Sequence, residues 1–335
     1  AGKKRIGIYG KYAKYRDLSP VDAMERIKSG EKYTVRLKSS GNFFNKFKFN
    51  DLVFGEMEFP DDDIDIPIMK SSNLLPTYHF AHLVDDHLMR TTHVVRGQEW
   101  MSSVPVHYEL FKTFGFKMTK YIHTPLILKK DGDKIRKISK RLDPEARMTY
   151  YEEKGYPVYS LIEAIMTIAN SNYEQWREGH PDADFTEFEF SPKKMSSAGA
   201  LFDLDKLDNI SKNYLSKLKA SEVFDGLDEW SKIYDTDFNA LINKHKDYTI
   251  SVLNIEREQK KPRKDFSCYS EIKSYIWYMY KELFTNVNYE WQNINKLEDI
   301  RLILTDYINN YYDINDDKDT WFNKMKELSE KYNYC

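Results

Sequence analysis

A chain of 335 residues is long enough for two or three domains, and 41% hydrophobic with 15% aromatic residues can fill their cores, which excludes an intrinsically disordered protein. The formal net charge is only −2, no apolar run could span a membrane, and the N-terminus does not resemble a signal peptide. The two cysteines, Cys268 and Cys335, have no spacing typical of a disulfide framework or a zinc site. We therefore expect a soluble, cytoplasmic protein.

The charges are unevenly distributed along the chain. Residues 1–50 carry 13 Lys and Arg against four Asp and Glu, whereas residues 51–75 carry seven acids and one base, Lys70. A further basic group consists of Arg257, Lys260, Lys261, Arg263 and Lys264. Such patches indicate a polyanionic partner, although solvated surface charge is the more common explanation. For residues 3–16, a frayed terminus and a polyanion contact stay equally open.

The first segment, residues 1–75, reads as a helix followed by short strands. Residues 17–27 predict a helix with Ser19 as its N-cap and Pro20 at its first position, and Ser29 ends it. The stretches that follow are a strand at residues 33–37, further short strands within residues 47–59, and an acidic turn at residues 61–65.

Residues 76–103 combine an amphipathic helix with a buried strand. The apolar stripe of the helix is formed by Phe80, Leu83, Val84 and Leu88, and its polar face by Tyr78, His82, Asp85 and Asp86. A β-branched strand over residues 91–95 ends at Arg96. Open α/β sheets bind ligands at the carboxyl ends of their strands, where Arg96, Gln98 and Glu99 would project.

A second helix follows this strand. Ser102 or Ser103 caps it, Pro105 lies in its first turn and Gly115 ends it. Its apolar stripe consists of Val106, Leu110, Phe111 and Phe114. A strand, a ligand-facing turn and a helix in this order make up half of a nucleotide-binding fold.

The chain then changes from α/β to helical patterning. Residues 121–128 predict a strand that leads through a turn at residues 130–132 into the basic loop K-I-S-K-R, residues 137–141. From Met148 onward the apolar spacing is helical, with one stripe of Leu161, Ile162, Ile165 and Ile168 and another of Leu204, Leu207, Ile210, Leu215 and Leu218. The predicted fold class is α/β followed by all-α.

Three motifs carry a family resemblance: Y-H-F-A-H-L-V-D-D-H-L-M, H-V-V-R-G-Q-E-W-M-S-S and K-I-S-K-R. In this order and at these separations they resemble the catalytic domain of bacterial-type glutamyl-tRNA synthetases, which are class I aminoacyl-tRNA synthetases. The last motif is that family's version of the KMSKS loop. The family's HIGH tetrapeptide does not occur in the sequence. We therefore expect a fragment that begins inside the domain inserted between the two catalytic halves.

The resemblance implies the second half of a class I Rossmann-like catalytic domain with part of its inserted acceptor-binding domain, then helical stem-contact and anticodon-binding domains. The boundaries expected for these four parts are residues 76–146 for the catalytic half, 1–75 for the inserted part, 147–220 for the stem-contact domain and 221–335 for the anticodon-binding domain. Glutaminyl enzymes end in β-barrels, and the helical pattern at the end of this chain argues against them.

The resemblance also implies the glutamate-binding residues. Tyr78 and Arg96 match them, and the planar fork of arginine suits a carboxylate. His82 matches a third such position, where many family members have asparagine, so selection of glutamate over glutamine is left open. The alternative for Arg96 is a structural ion pair with Asp85 or Asp86.

For ATP, the resemblance implies that Glu99, Trp100, Lys137, Ser139 and Lys140 are binding residues. Lys137 and Lys140 are the expected catalytic lysines, which would stabilise the triphosphate as pyrophosphate leaves. The alternatives are core packing for Trp100 and plain surface charge for the loop. A metal site at His79, His82, Asp86 and His87 is disfavoured because His79 and His87 are eight residues apart and no pattern of residues that would support the ligands is found.

The expected cofactor is ATP with Mg²⁺ and no zinc, since family members with zinc in the inserted domain use cysteines that this segment lacks. The expected partners are the tRNA for glutamate, ATP and L-glutamate, with no membrane, and the complete enzyme is expected to be a monomer. Two alternatives remain: a non-catalytic tRNA-binding module, and a glutamyl-transfer paralogue that modifies tRNA. Such paralogues lack the helical anticodon-binding domain, which residues 221–335 are predicted to form.

Overall fold

The computed structural model describes residues 13–285 and 297–333 and divides into two compact units at Tyr275 and Ile276. The helices up to this division are α1 (Pro20–Lys28), α2 (Tyr78–Leu88), α3 (Val104–Phe114), α4 (Met148–Lys154), α5 (Val158–Ala169), α6 (Tyr173–Gly179), α7 (Leu204–Lys217), α8 (Ala220–Tyr234), α9 (Thr236–Lys244), α10 (Lys246–Leu253) and α11 (Tyr269–Ile276). The strands are β1 (Val35–Leu37), β2 (Lys46–Asp51), β3 (Gly55–Pro60), β4 (Ile66–Met69), β5 (His93–Gly97), β6 (Lys120–Thr124), β7 (Ile127–Asp131), β8 (Lys134–Lys137) and β9 (Ala200–Leu201). Most of the predicted polyanion contact at residues 3–16, and also Cys335, lie outside the described residues.

Helix α1 begins where its sequence predicts. Ser19 Oγ accepts a hydrogen bond from the Asp22 amide at 3.1 Å, and Pro20 occupies the first helical position. Ser29 ends the helix, and Gly30 after it adopts a left-handed φ of +89° that favours glycine. The predicted strand at residues 33–37 is confirmed in a shorter form, as β1.

Three of the nine basic residues in residues 13–50 are paired with acids from residues 51–75. The pairs are Arg16–Asp65 at 2.8 Å, Lys46–Glu58 at 2.6 Å and Lys48–Glu56 at 2.8 Å. The exposed pairs of Lys46 and Lys48 add little stability, but each of the three pairs cancels a charge. The excess of basic residues in this segment is therefore not an equally large positive surface.

Four strands form a sheet in the order β3–β2–β6–β5, in which β5 and β6 are parallel and β2 and β3 form an antiparallel hairpin. The prediction of a single strand over residues 121–128 is wrong. This stretch contains parts of two strands in two different sheets, since β6 ends at Thr124 and β7 begins at Ile127. Pro125 lies between them and has no amide proton with which to continue the ladder.

Helices α2 and α3 pack together beside this sheet. Their shared core consists of Ile66, Leu83, Leu110 and Phe111. Leu88, predicted as part of the buried stripe, is 72% exposed because α2 ends at this residue. Ser103 occupies the N-cap position of α3 without a side-chain hydrogen bond, and Gly115 ends α3 with a φ of +69°, as predicted. A short 3-10 helix, Gln98–Ser103, connects β5 to α3.

A three-stranded sheet has the order β8–β7–β9, and helices α4 to α11 follow its hairpin. Leu207 and Leu215 of α7 are buried as predicted. The stripe predicted for α5 is partly wrong, because α5 buries Ser160, Glu163 and Ala164 and exposes Ile165. Glu163 can be buried because Arg177 of α6 forms an ion pair with it.

Arg257, which the sequence placed in a basic surface group, is used internally. Its Nε donates to the Leu253 carbonyl at 2.9 Å, and its Nη1 donates to the Leu215 carbonyl and to the Leu218 carbonyl at 3.0 Å. These carbonyls lie at the C-terminal ends of α7 and α10, where helical carbonyls lack partners. Burial lowers the pKa of Arg257.

Arg263 pairs with Asp265 at 3.0 Å. The remaining members of the basic group, which form no ion pair within the described residues, are Lys260, Lys261 and Lys264.

The second unit contains α12 (Leu297–Asp306), a π-helical turn (Tyr307–Tyr311) and α13 (Lys318–Tyr332). Asp306 holds its two helices together, since its carboxylate accepts from Lys331 Nζ at 2.8 Å and Tyr332 Oη at 3.0 Å. Over the described residues after 220 the chain forms helices and no strands, which confirms the predicted helical region. None of the described helices is long and apolar enough to cross a membrane.

Candidate active site

Two aromatic rings meet at the carboxyl end of β5. Tyr78 begins α2, Trp100 lies in the 3-10 helix after β5, and their ring centroids are 4.5 Å apart at an interplanar angle of 34°. Tyr78 is 47% exposed and Trp100 37% exposed. Core packing, the alternative for Trp100, is therefore wrong, and the two rings form an accessible aromatic wall.

His82 lies one helical turn after Tyr78, with its ring nearly parallel to the tyrosine ring at 6.0 Å. Its Nε2 is 2.8 Å from Tyr121 Oη and its Nδ1 is 2.9 Å from Asp86 Oδ2. Burial lowers the pKa of His82 and outweighs the opposite influence of the Asp86 charge. Both ring nitrogens are therefore engaged beneath Tyr78.

Arg96 reaches the same place from the end of β5. Three groups accept its hydrogen bonds: His123 Nε2 from Nε at 2.9 Å, His107 Nδ1 from Nη1 at 3.1 Å, and the Trp100 carbonyl from Nη2 at 3.3 Å. Its guanidinium carbon lies 4.7 Å from the centre of the Tyr121 ring. In the described part of the chain Arg96 forms no ion pair with Asp85 or Asp86, so that alternative is wrong.

The residues behind Arg96 were missed in the sequence. Asp51, the last residue of β2, is buried, and its Oδ2 accepts from His123 Nδ1 at 2.7 Å and from the His123 amide at 3.2 Å. Its Oδ1 accepts from the amides of Val53 at 2.9 Å and Phe54 at 3.0 Å. Burial alone would raise the pKa of Asp51, but these hydrogen bonds lower it overall. A buried, ionised carboxylate thus lies one imidazole away from Arg96.

His107 of α3 provides the second support. It is fully buried, and its Nε2 is 3.0 Å from His79 Nδ1 on α2. Burial, followed by the charges of His82 and Arg96, lowers the pKa of His107 to about 2. We call Asp51, His79, Arg96, His107 and His123 the Arg96 cluster. For Asp51, His107 and His123 the only sequence signal was polar residues within apolar strand and helix patterns.

The turns after β5 and β6 are joined at the sheet edge. Gln98 Oε1 accepts from the Leu126 amide at 3.1 Å. Glu99 is exposed and lies against Gly97, where an added Cβ would stand 2.2 Å from Glu99 Oε2. Only glycine at position 97 allows the Glu99 side chain to fold back over the strand end in this way.

The K-I-S-K-R loop begins at Lys137, the last residue of β8, and an acidic residue two positions after its end holds it. Asp143 is buried, and both its oxygens accept from Arg136, at 2.7 and 2.8 Å. Oδ2 also accepts from the Ser139 amide at 2.8 Å. These bonds, led by those of Arg136, lower the pKa of Asp143. Lys137 and Lys140 are exposed and form no ion pair with any described residue.

Lys129 of β7 completes the attachment of this loop. Its Nζ is 3.3 Å from Asp143 Oδ1 and also pairs with Glu145. We call Lys129, Arg136, Ser139, Asp143 and Glu145 the Asp143 cluster. Lys137 and Lys140 are exposed charges, as the alternative of plain surface charge expects. The backbone of their loop, however, is held by the Asp143 cluster.

The structure brings together Tyr78, His82, Arg96 and Trp100, with Glu99 beside them. The loop residues Lys137, Ser139 and Lys140 form a separate group, and no hydrogen bond or ion pair between described side chains joins it to the first. His79 and His82, the strongest part of the disfavoured metal interpretation, direct their nitrogens to different partners. Within residues 13–285 and 297–333 no three His, Cys, Asp or Glu residues are arranged to hold a metal ion.

The fold agrees with comparison to known families. A family described as tRNA synthetases class I (E and Q), catalytic domain, matches residues 10–209, which is more than half of the chain. The chain belongs to this family of class I synthetases.

Individual relatives show which members of this family the chain is similar to. The chain is 44% identical over 338 residues to a glutamate–tRNA ligase of Clostridium perfringens (strain 13 / Type A), which covers 100% of this chain and 62% of the relative. It is 42% identical over 339 residues to a glutamate–tRNA ligase of Clostridium beijerinckii, covering 61% of that protein. The chain thus spans about three fifths of the length of these relatives, and the predicted resemblance to glutamyl enzymes is confirmed at the level of the family.

A solved structure shares the fold. The crystal structure of a glutamate tRNA ligase from Elizabethkingia meningosepticum, in complex with its amino acid, superposes with a TM-score of 0.66 at 19% identity. The match covers 98% of this chain and 66% of that one. The prediction of an α/β catalytic region followed by helices is confirmed.

Proposed function

We propose that this chain is part of a glutamate–tRNA ligase, which joins glutamate to its tRNA through a glutamyl-adenylate. The observation that carries the proposal is Arg96, a cation without a carboxylate partner among the described residues, held beside an exposed aromatic wall at the carboxyl end of a parallel strand. Ligands of open α/β sheets bind at this edge, and a guanidinium whose charge is not cancelled suits a carboxylate substrate.

In the proposed site, glutamate lies between Tyr78 and Arg96. The guanidinium binds a carboxylate of the amino acid, and Tyr78 covers its aliphatic part. His82 supports Tyr78 from below, and its engaged nitrogens leave it a smaller part in direct recognition than the resemblance assigns. Most of the expected rate comes from positioning, since the protein takes little part in the covalent chemistry.

ATP is the second substrate in this proposal, and Mg²⁺ enters on its phosphates. Trp100 and Glu99 lie on the adenosine side, and Lys137, Ser139 and Lys140 on the phosphate side. Because the Asp143 cluster fixes the loop backbone, the two lysines need only move their side chains to reach the triphosphate. A cation is most effective where negative charge develops as pyrophosphate leaves. No zinc ion is part of the proposed site.

The remaining parts are proposed to serve the tRNA. Residues 1–75 would contact its acceptor end, residues 147–220 its stem and residues 221–335 its anticodon, in a monomeric cytoplasmic enzyme. The family resemblance assigns ATP phosphate contacts to HIGH histidines, which this sequence does not contain. We therefore propose that residues 1–335 alone do not catalyse the exchange of ATP with pyrophosphate.

The test compares the native protein with residues 1–335. Glutamate-dependent ATP–pyrophosphate exchange and transfer of labelled glutamate to tRNA are expected from the native protein and not from residues 1–335. If neither protein shows exchange but both bind tRNA, the non-catalytic tRNA-binding module is the better function. Exchange by residues 1–335 at the rate of the native protein would overturn the half-site proposal.

A further inference from the structure

Arg96 is hydrogen-bonded on three sides, yet each group that accepts from it within the described residues is neutral. The acceptors are two imidazole nitrogens and one carbonyl, at 2.9 to 3.3 Å. Buried arginines usually pair with carboxylates, which fix their position and also cancel their charge. Here the position is fixed without that cancellation.

We propose that His107, His123 and Asp51 are positioning residues that fix the Arg96 guanidinium while leaving its positive charge free for a carboxylate ligand. The inference deepens the proposed function, on which it rests. It concerns how this site recognises a carboxylate and rejects an amide of the same shape.

The first support is a relay of defined hydrogen-bond direction. A guanidinium only donates, so His123 Nε2 must be the acceptor from Arg96. His123 then carries its proton on Nδ1 and donates it to Asp51 Oδ2 at 2.7 Å. Asp51 suits this role because both of its oxygens accept, with two backbone amides on Oδ1. An asparagine would present donors to one of these sets.

The second support runs the other way across the site. His107 Nδ1 must accept from Arg96, so His107 carries its proton on Nε2 and donates it to His79 Nδ1 at 3.0 Å. The two imidazoles therefore hold opposite tautomers. Each presents a lone pair to the guanidinium, which is the arrangement that a cation favours.

The third support is the placement of the nearby acids. Asp51 belongs to the Arg96 cluster and Asp86 lies beside it, but each contacts a histidine and not the arginine. The His123 imidazole therefore lies between Asp51 and the guanidinium, and Asp86 faces His82. An attached carboxylate would compete with the ligand for the same N–H groups. With these acids one residue away, a substrate carboxylate is the first anion that Arg96 can bind directly.

The functional consequence, with the side-chain carboxylate of glutamate bound to Arg96, is discrimination between glutamate and glutamine. An uncompensated guanidinium attracts a carboxylate strongly, whereas an amide offers only a neutral acceptor and also presents donors toward donors. A cancelled charge at Arg96 would reduce this difference. Of the Arg96 cluster, only Arg96 would thus contact the substrate, and the other members would determine specificity through it.

The kinetic test uses two variants of the native protein, His107→Glu and His107→Gln, whose new side chains are isosteric with each other. Glutamate replaces a neutral acceptor with a carboxylate, whereas glutamine keeps the position neutral. In ATP–pyrophosphate exchange, the KM for glutamate should be about 10- to 100-fold higher in His107→Glu than in His107→Gln, because charged contacts of this kind differ by that order. The KM for ATP should be equal in the two, and the preference for glutamate over glutamine should be lost only in His107→Glu. Equal KM values for glutamate in both folded variants would overturn the inference while leaving the proposed function intact.

A second measurement needs neither a variant nor activity. In residues 1–335 labelled with ¹⁵N-histidine, long-range ¹H–¹⁵N correlation spectra at neutral pH should assign the Nδ1–H tautomer to His123 and the Nε2–H tautomer to His107. The opposite tautomer at either residue would overturn the relay, even if both variants fail to fold. A native protein without glutamate-dependent exchange would instead refute the proposed function, and the tautomers would still decide the positioning.

Discussion

The hairpins β2–β3 and β7–β8 are both rich in basic residues, but they differ in which of these residues are paired with acids. In β2–β3, Lys46 and Lys48 each pair with a glutamate of the neighbouring strand. In β7–β8, Arg136 binds the carboxylates of both Asp131 and Asp143. The lysines that follow, at positions 137 and 140, are left without an ion pair among the described residues.

Strand register explains this difference. The pairs of β2–β3 are diagonal neighbours, since Lys48 lies opposite Glu58 and pairs with Glu56. In β7–β8, Lys137 lies opposite Leu128, which offers no charge, and Lys129 lies opposite Arg136. Asp143 relieves that repulsion by binding both. A basic run therefore says little about available charge until the positions of the acids are known.

The largest expected effect follows from removing a free lysine. In the native protein, Lys140→Ala should lower glutamate-dependent exchange by about 10²- to 10³-fold, since one contact to developing charge is typically worth this much. Affinity for tRNA should not change. Lys134→Ala is the matched control, since Lys134 is an exposed lysine of the same hairpin. Equal losses in both variants, or a parallel loss of tRNA affinity, would mean that the loop lysine is only surface charge.

A smaller effect is expected when the support of the loop is removed. Asp143→Asn keeps the shape but weakens the bonds from Arg136 and Lys129, which should raise the KM for ATP about tenfold, because a charge-assisted hydrogen bond is worth roughly 1.5–3 kcal/mol. Asp131→Asn, which removes an exposed partner of the same Arg136, is the control. If both substitutions act alike, the buried position of Asp143 has no special role.

Arg96 is a cation held by neutral imidazoles, and one of them, His107, makes the stability of the fold depend on pH. The pKa of His107 lies near 2 in the fold and near its ordinary value of 6.5 when unfolded, so the unfolded chain binds an extra proton between these limits. The contribution of His107 to stability is therefore complete above pH 6.5 and falls by about 1.4 kcal/mol for each pH unit below it. Urea unfolding of residues 1–335 between pH 6.5 and 4.5 should have this extra slope relative to His107→Gln. Parallel curves would refute it.

The smallest effect concerns tRNA. Replacing Lys260, Lys261 and Lys264 by alanine should flatten the dependence of log binding constant on log salt, by about 0.9 for each phosphate that is no longer neutralised. Replacing Lys46 and Lys48, which are already paired, should leave the slope unchanged. Equal flattening in both variants would show that exposed ion pairs open freely for RNA.

Local signals were sufficient for much of the fold. Ser19 with Pro20 located the start of α1, and Gly115 located the end of α3. The first two motifs contain Tyr78, Arg96 and Trp100, which the structure brings together at the end of β5. In each case the deciding interactions lie within a few residues or follow from known motif spacing.

Long-range pairing was beyond the sequence pattern. Asp51 and His123 are 72 residues apart, and neither lies in one of the three motifs. Glu163 reads as a polar-face residue of α5 until Arg177 of another helix is known to neutralise it. Asp143 reads as an ordinary loop residue for the same reason. Buried polar partners have no periodicity, so they become visible only when the fold brings them together.

The position of Arg257 has a consequence for local unfolding. One side chain satisfies carbonyls at the ends of both α7 and α10, so opening either end releases the side chain that also holds the other end. The last turns of these helices should therefore exchange their amide protons in a single cooperative event and not fray independently. Arg257, which the sequence placed in a basic surface group, thus couples the motions of two helix ends.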